Sequence, residues 1–156
     1  MKLTGWKTPL EQVNEEGLVE FCQQLLQIPS YTGQEQEAAQ CLVGEMERLG
    51  FDKAWIDGVG NVIGEIKGAH PGPKVLFDGH IDTIPVSGSD KWTVDPFDGT
   101  IKDGYLYGRG ACGMKGPLAS MLYGLAPLAK HKERLAGSVY VSATVGVEQF
   151  EGLAFV

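Results

Sequence analysis

The sequence lacks positive charge: 13 Lys and Arg stand against 20 Asp and Glu, a formal net charge of −7, and no basic run occurs. A surface of that sign repels phosphate, which argues against nucleic acid and anionic membrane as partners. Long apolar runs are missing too. None approaches the roughly 20 residues a spanning helix needs, and residues 1–7 have no apolar signal core. Cysteine is scarce. Cys22, Cys41 and Cys112 are odd in number and have no C-x-x-C spacing, so a reduced, cytoplasmic setting is expected rather than a disulfide framework. There is no internal repeat, no low-complexity tract and no linker. What is present is an ordinary globular balance, 43% hydrophobic and 21% charged over 156 residues, enough for one domain with a core.

Residues 1–13 read as a polar lead-in, and residues 14–156 as the folded part. Asn14 can cap a helix whose first turn carries Glu15 and Glu16. Leu18, Phe21, Cys22, Leu25 and Leu26 give it one apolar face, and Pro29 stops it. The spacing of Thr32 and Glu35 predicts a capping box for a second helix. That helix has Ala39, Leu42, Val43, Met46 and Leu49 on its face and Gly50 at its end. Cys22 and Cys41 fall on or beside these faces as packing residues. Strands are expected over 51–56 and 61–66, joined by the turn Asp57-Gly58-Val59-Gly60. Residues 67–73 read as a Gly/Pro-rich connection in which His70 is simply solvated. Trp92 and Phe97 are expected to pin a long loop to the core. A hairpin turns at Asp103-Gly104 between 100–102 and 105–107. A helix from about Lys115 buries Leu118, Met121, Leu122 and Leu125, and Pro127, with Gly124 before it, predicts a kink or end near Ala126. His131 beyond it reads as solvated near a helix C-terminus. A last strand runs 138–145, with Val139, Val141, Ala143 and Val145 alternating. Helix, helix, strands, helix, strand indicates an α/β layer.

The stretch Asp78-Gly79-His80-Ile81-Asp82-Thr83 organises the rest. It follows the apolar run 74–77, which has the pattern of a buried strand opening into a loop. His80 and Asp82, two residues apart, share a face if the strand continues. A histidine with a carboxylate to orient it suits a metal site at a strand's C-terminal end. On spacing alone the pattern is common. Gly108-Arg109-Gly110 precedes a helix, but the full dinucleotide fingerprint fails at Gly113-Met114 and no ribose-binding acid is placed for it.

Three stretches together carry a resemblance. Residues 77–83, 107–116 (Tyr-Gly-Arg-Gly-Ala-Cys-Gly-Met-Lys-Gly) and 144–152 (Thr-Val-Gly-Val-Glu-Gln-Phe-Glu-Gly) resemble motifs of one family in the right order. It is the zinc-dependent amidohydrolases that include acetylornithine deacetylase, succinyl-diaminopimelate desuccinylase and the glutamate carboxypeptidases. Within it, the chain looks closest to the hydrolases linked to selenium metabolism. The resemblance runs from about Asn14 onward and takes in Ile28-Pro29-Ser30 and Lys91-Trp92. It implies an α/β fold, a mixed β-sheet flanked by helices, as in a zinc-exopeptidase catalytic domain. It also implies hydrolysis of small N-acylated amino acids or peptides by two zinc ions that share a carboxylate and a water. Carried over, His80 resembles a ligand of one zinc and Glu148 a ligand of the other. Asp82 resembles the catalytic-site carboxylate that holds His80 in the right tautomer.

The departures matter as much. The family has a metal-bridging aspartate where this chain has Gly113, and a catalytic glutamate where it has Val147. Glycine cannot coordinate and valine cannot move a proton. Asp98 and Asp103 are close in sequence, but their spacing does not suggest rescue. Cys112 adjoins the gap and thiolates bind zinc, yet in an extended segment its side chain should point elsewhere. The family's further ligands and its lid or dimerisation domain lie beyond the matched region, so the resemblance implies a truncated catalytic domain with a sheet edge left exposed. The expectation is an inactive relative of the hydrolases, holding at most part of the metal and open to self-association at that edge. The alternative is a non-catalytic binding module that keeps the fold.

Overall fold

In the computed structural model, residues 13–88 and 91–149 are described. The lead-in before Val13, the loop residues Ser89 and Asp90, and the end of the third motif (150–152) lie outside them. Helix α1 spans Glu15–Leu26, and the Asn14 side chain accepts from the Gly17 N–H as its cap. Helix α2 spans Gln36–Arg48. Strands β1 (Lys53–Ile56), β2 (Val62–Lys67), β3 (His70–His80), β4 (Thr100–Lys102) and β5 (Tyr105–Tyr107) follow, then helix α3 (Gly116–Ala129) and strand β6 (Ala136–Thr144).

The main sheet has the order β1-β2-β6-β3, and β4-β5 form a separate hairpin. β2 pairs antiparallel with β1 and β6, while β3 runs parallel to β6, so the sheet is mixed as expected. Alternation decides its two faces. Val62 and Ile66 of β2 and Val139, Val141 and Ala143 of β6 are buried, and the helices cover that side. Met46 and Phe51 lie over Gly64, and Leu118 lies over Gly79. All three helices belong to this layer, α1 resting on α3 with the Phe21 and Tyr123 rings 6.2 Å apart. The other face carries polar contacts, such as Tyr140 donating to Glu65 at 2.8 Å.

Tyr123 also ties α3 to α2. Its hydroxyl donates to Glu45 Oε1 at 2.6 Å and accepts from Arg48 at 2.7 Å. Burial opposes the Glu45 charge, but these two donors win and hold its carboxyl below the usual range.

Four expectations are corrected. The run 74–77 is an edge strand rather than a buried one, with Val75 45%, Leu76 61% and Phe77 39% exposed. Among the described residues β6 flanks it on one side only, and the α3 cover reaches just its Gly79 end. β3 also starts earlier than expected, absorbing 70–73 through a register shift between His70 and Lys74. Such a bulge accommodates Pro71 and Pro73. His70 in it is exposed, as expected, with Nε2 3.0 Å from the Glu133 carbonyl. Pro127 neither ends nor breaks α3, which continues to Ala129. In the last turn its missing N–H costs a single bond, and the Pro127 carbonyl still accepts from Lys130. Finally, the Thr32/Glu35 capping box does not form. Glu35 is the N-cap without a side-chain bond, because both side chains are used elsewhere.

Other expectations hold. Cys22 is buried and Cys41 packs at the core's margin. The β4-β5 hairpin turns at Asp103 and Gly104, both at positive φ, the geometry such a two-residue turn requires. Phe97 and Trp92 secure the long loop to neighbouring loops rather than to the core, Phe97 edge-on to Tyr31 and Trp92 beneath the Arg109 guanidinium at 5.4 Å.

Candidate metal centre

Where β3 and β6 end side by side, His80 pairs in register with Thr144. The chain after each strand is then tied down by side chains from elsewhere. Ser30 Oγ donates to the Ile81 carbonyl at 2.6 Å and Thr83 N–H to the Ser30 carbonyl at 2.8 Å, locking the Ile81–Thr83 segment against the loop before α2. After β6, Val145 N–H donates to Asn61 Oδ1, Gly146 N–H to Glu35 Oε1 and Glu148 N–H to Asp82 Oδ2. Asn61 is itself held by Asp57, whose Oδ1 also accepts from three consecutive backbone N–H groups.

Asp82 is the hub. It is fully buried, and its Oδ2 accepts from Thr32 Oγ1 at 2.9 Å as well as from the Glu148 N–H at 2.8 Å. His80 Nδ1 faces the Asp82 carbonyl at 3.0 Å and Asp82 Oδ1 at 3.3 Å. Oδ1 has no hydrogen bond among the described residues, so its approach to the imidazole is electrostatic. Both neighbours of Nδ1 are acceptors, which places a proton there and leaves the Nε2 lone pair free. Nε2 points to Glu148 Oε1 at 3.8 Å, with His80 13% and Glu148 32% exposed at the side chain. The arrangement can present one imidazole nitrogen and one carboxylate to a cation.

A cleft of about 260 Å³ adjoins them, lined by Thr83, Arg109, Gly110, Gly113 and Glu148 among others. Gly110 has φ 86°, and a Cβ there would come within 2.7 Å of Thr83 Cγ2, so glycine is required. Gly113 is different. Its φ of −127° and ψ of 87° suit any residue, and a Cβ would meet nothing nearer than Glu148 Oε1 at 3.8 Å. Position 113 therefore faces the His80–Glu148 pair with room for a side chain. The larger cavity, about 600 Å³ and lined mainly by apolar groups such as Leu18, Ile101 and Leu106, lies on the other side of the Ala111–Cys112 wall.

These features correspond to known proteins. The model of peptidase family M20/M25/M40 matches residues 76–150. The succinyl-diaminopimelate desuccinylase of Methylorubrum extorquens is 36% identical over 127 residues, covering 76% of this chain and 32% of that protein. The chain belongs to the M20 peptidase family. Human carnosine dipeptidase 1 has the same fold, with a TM-score of 0.79 at 21% identity over 95% of this chain and 36% of its own. So does the Bacillus subtilis YXEP protein, described as a dinuclear metal-binding peptidase of the M20 family (TM-score 0.62, 24% identity, 84% of this chain and 35% of its own). The chain thus spans about a third of the length of each of these proteins.

Within this M20 framework, His80, Asp82 and Glu148 stand together. Asp98 and Asp103 do not join them, and no three His, Cys, Asp or Glu side chains converge on a metal-sized site among the described residues. Cys112 is exposed. It was expected to point away from the gap, yet it lines both the cleft and the apolar cavity without completing a ligand set. Val147 is 40% exposed.

Several supporting residues were not foreseen. Thr32 and Glu35 looked like a helix cap, and Asn61 like a strand residue. Lys115 was read only as a motif residue and as the start of a helix. It is fully buried and donates to the carbonyls of Leu25 at 3.0 Å and Ile28 at 2.5 Å, closing the C-terminus of α1. Burial pulls its ammonium down to about 8. The only advance signal was a lysine on the apolar approach to a helix.

Proposed function

We propose that this chain is a catalytically silent member of the M20 peptidases that keeps half of a metal centre. His80 and Glu148 would hold one divalent ion, with Asp82 orienting His80. Nitrogen and oxygen donors of this kind suit zinc. The observation that carries the reading is the 3.8 Å approach of His80 Nε2 to Glu148 Oε1, with Nδ1 turned onto Asp82. Two protein donors fit a weakly held ion and do not fit the pair of ions that the family resemblance implies. A bound ion would supply Lewis-acid polarisation. No side chain at 113 can bridge a second ion, and none at 147 can take a proton from water.

The substrate class that goes with this ancestry is small peptides or N-acylated amino acids, as the relatives' names suggest. The setting we favour is the cytoplasm, in keeping with three unpaired cysteines. No helix among the described residues is long and apolar enough to cross a membrane.

The test is zinc content after mild dialysis, compared with His80→Ala. Zinc that disappears in the variant supports the half-site, whereas equal zinc in both proteins would refute it. Chelator-sensitive turnover of N-acylated amino acids would refute the silence. A second reading concerns association: the exposed residues of β3 favour pairing of this chain with itself.

A further inference from the structure

We propose that Lys115 is a positioning residue for the His80–Glu148 pair, acting through the segment 28–30 on the loop that carries Asp82. This inference rests on the half-site reading above and adds the buried group that sets its geometry.

The path runs through contacts inside the described residues. Lys115 stands just before α3, and its Nζ donates to the carbonyls of Leu25 at 3.0 Å and Ile28 at 2.5 Å. Those bonds fix where the chain leaves α1. Just beyond, Ser30 is fully buried and holds the metal loop twice. Its Oγ donates to the Ile81 carbonyl, and its own carbonyl accepts from the Thr83 N–H. Asp82 lies between those two anchors, with Oδ1 3.3 Å from His80 Nδ1 and Oδ2 accepting from the Glu148 N–H at 2.8 Å. A displacement of Ile28 is thus passed to Asp82, and from there to both candidate ligands.

Lys115 holds the opposite wall as well. Its backbone N–H donates to the Gly110 carbonyl at 2.9 Å. The Thr83 methyl and the Lys115 stem both crowd the position a Gly110 Cβ would take, at 2.7 and 3.3 Å. One residue therefore ties the exit of α1 to the cleft wall that carries position 113, and borders the Thr83 end of the metal loop.

Stability alone does not call for an ammonium there. Lys115 is wholly buried, and the groups that act on its charge are two thiols, Cys22 of α1 and Cys41 of α2, with burial the larger effect. A buried charge without a carboxylate partner costs folding free energy, and an apolar side chain of similar volume commonly serves a core as well or better. What an apolar side chain cannot do is hold two carbonyls at set distances. Geometry accounts for the charge where stability does not.

Lys115→Met tests this with readouts that a purely structural role would not separate. Zinc affinity should fall about tenfold or more, as for other groups that orient ligands from behind, while the urea midpoint without zinc stays near the parent's. Tyr123→Phe, which breaks buried bonds off this path, should lower the midpoint and leave zinc affinity unchanged. Without metal, long-range proton–nitrogen NMR spectra read the imidazole directly, the His80 signals being those lost in His80→Ala. The parent should show a single Nδ1–H tautomer and Lys115→Met a mixture. That tautomer change with no zinc bound by either protein overturns the half-site and leaves the positioning role standing. A parental tautomer in folded Lys115→Met overturns the positioning role. So does a fall in midpoint that matches the zinc loss, because the lysine would then act through the fold at large. Should Lys115→Met fail to fold, Ser30→Ala cuts the same path one step nearer the site, and a parental tautomer there overturns the proposal.

Discussion

Gly113→Asp is the most informative substitution. The backbone at 113 is extended and a Cβ fits without displacement, so the variant should fold. Its carboxylate would stand near Glu148, whose Oε1 lies 3.8 Å from the Cβ position. Two like charges about 4 Å apart at a partly solvated site repel by up to about 4 kcal/mol; the 32% exposure of Glu148 reduces this to about 1–3 kcal/mol. Without metal, the variant should therefore be less stable than the parent at pH 7. The repulsion raises one carboxyl's folded-state pKa, so folding takes up protons and the deficit should shrink as pH falls toward 5. With zinc the sign reverses, because three donors replace two. If the third ligand tightens binding about 100-fold, saturating zinc adds about 2.7 kcal/mol, or roughly 5–10 °C in melting temperature for a domain of this size. The parent should move by about 1–2 °C at the same zinc concentration. Differential scanning fluorimetry with and without zinc reads both effects. Equal zinc shifts in the two proteins would refute the claim that position 113 faces the metal pair.

Three further outcomes follow from the same contacts. Asp82→Ala leaves the Glu148 N–H and Thr32 hydroxyl without their acceptor and should cost about 2–4 kcal/mol in urea unfolding, with loss of any zinc response. Lys115 has a folded-state value near 8 against 10.5 unfolded. The fold therefore carries the cost of its buried charge below pH 8 and is relieved of it as pH rises toward 10.5, a gain of about 1–3 kcal/mol. Cys22 and Cys41, pushed up chiefly by burial, work the other way above pH 9, so the readout is the slope difference between parent and Lys115→Met, which should lack the rise and keep only the decline above pH 9. Tyr123→Phe removes one donor from Glu45 and one acceptor from Arg48. It should cost about 1–2 kcal/mol, visible as a shift of the urea midpoint with an unchanged slope.

The helices were legible because one buried stripe at helical spacing is a long signal, repeated over three turns. Leu25, Leu26, Leu42 and Met46 are all fully buried. β3 misled for a physical reason. A short apolar run such as Val75-Leu76-Phe77 reports that a strand forms, not how many neighbours it acquires. Position in the sheet is set by pairings tens of residues apart, here with 136–144. The Thr32-x-x-Glu35 pattern misled similarly. Its two side chains had a local use at a helix end and a distant one at Asp82 and Gly146, and the distant one prevailed. Nothing in a local window records that competition.

The site residues His80, Asp82 and Glu148 were legible only through the three motifs taken together, and the contacts around them separate what the fold needs from what it does not. Every tether of the two strand ends is intact: Ser30 on Ile81, Asn61 on Val145, Glu35 on Gly146, Asp82 on Glu148. These contacts satisfy buried or half-buried polar groups, so losing any of them would cost folding free energy. Positions 113 and 147 differ in kind. The first has an unstrained backbone and room for a Cβ, its nearest neighbour being Glu148 Oε1 at 3.8 Å, and the second is 40% exposed, so folding requires neither side chain. Only chemistry would demand an aspartate and a glutamate there. A chain released from catalysis but still required to fold would lose these two groups first and keep the scaffold that once aimed them. That ordering predicts that the paired change Gly113→Asp/Val147→Glu refolds to the parental structure. Loss of the parental circular dichroism spectrum in the zinc-loaded double variant would count against it.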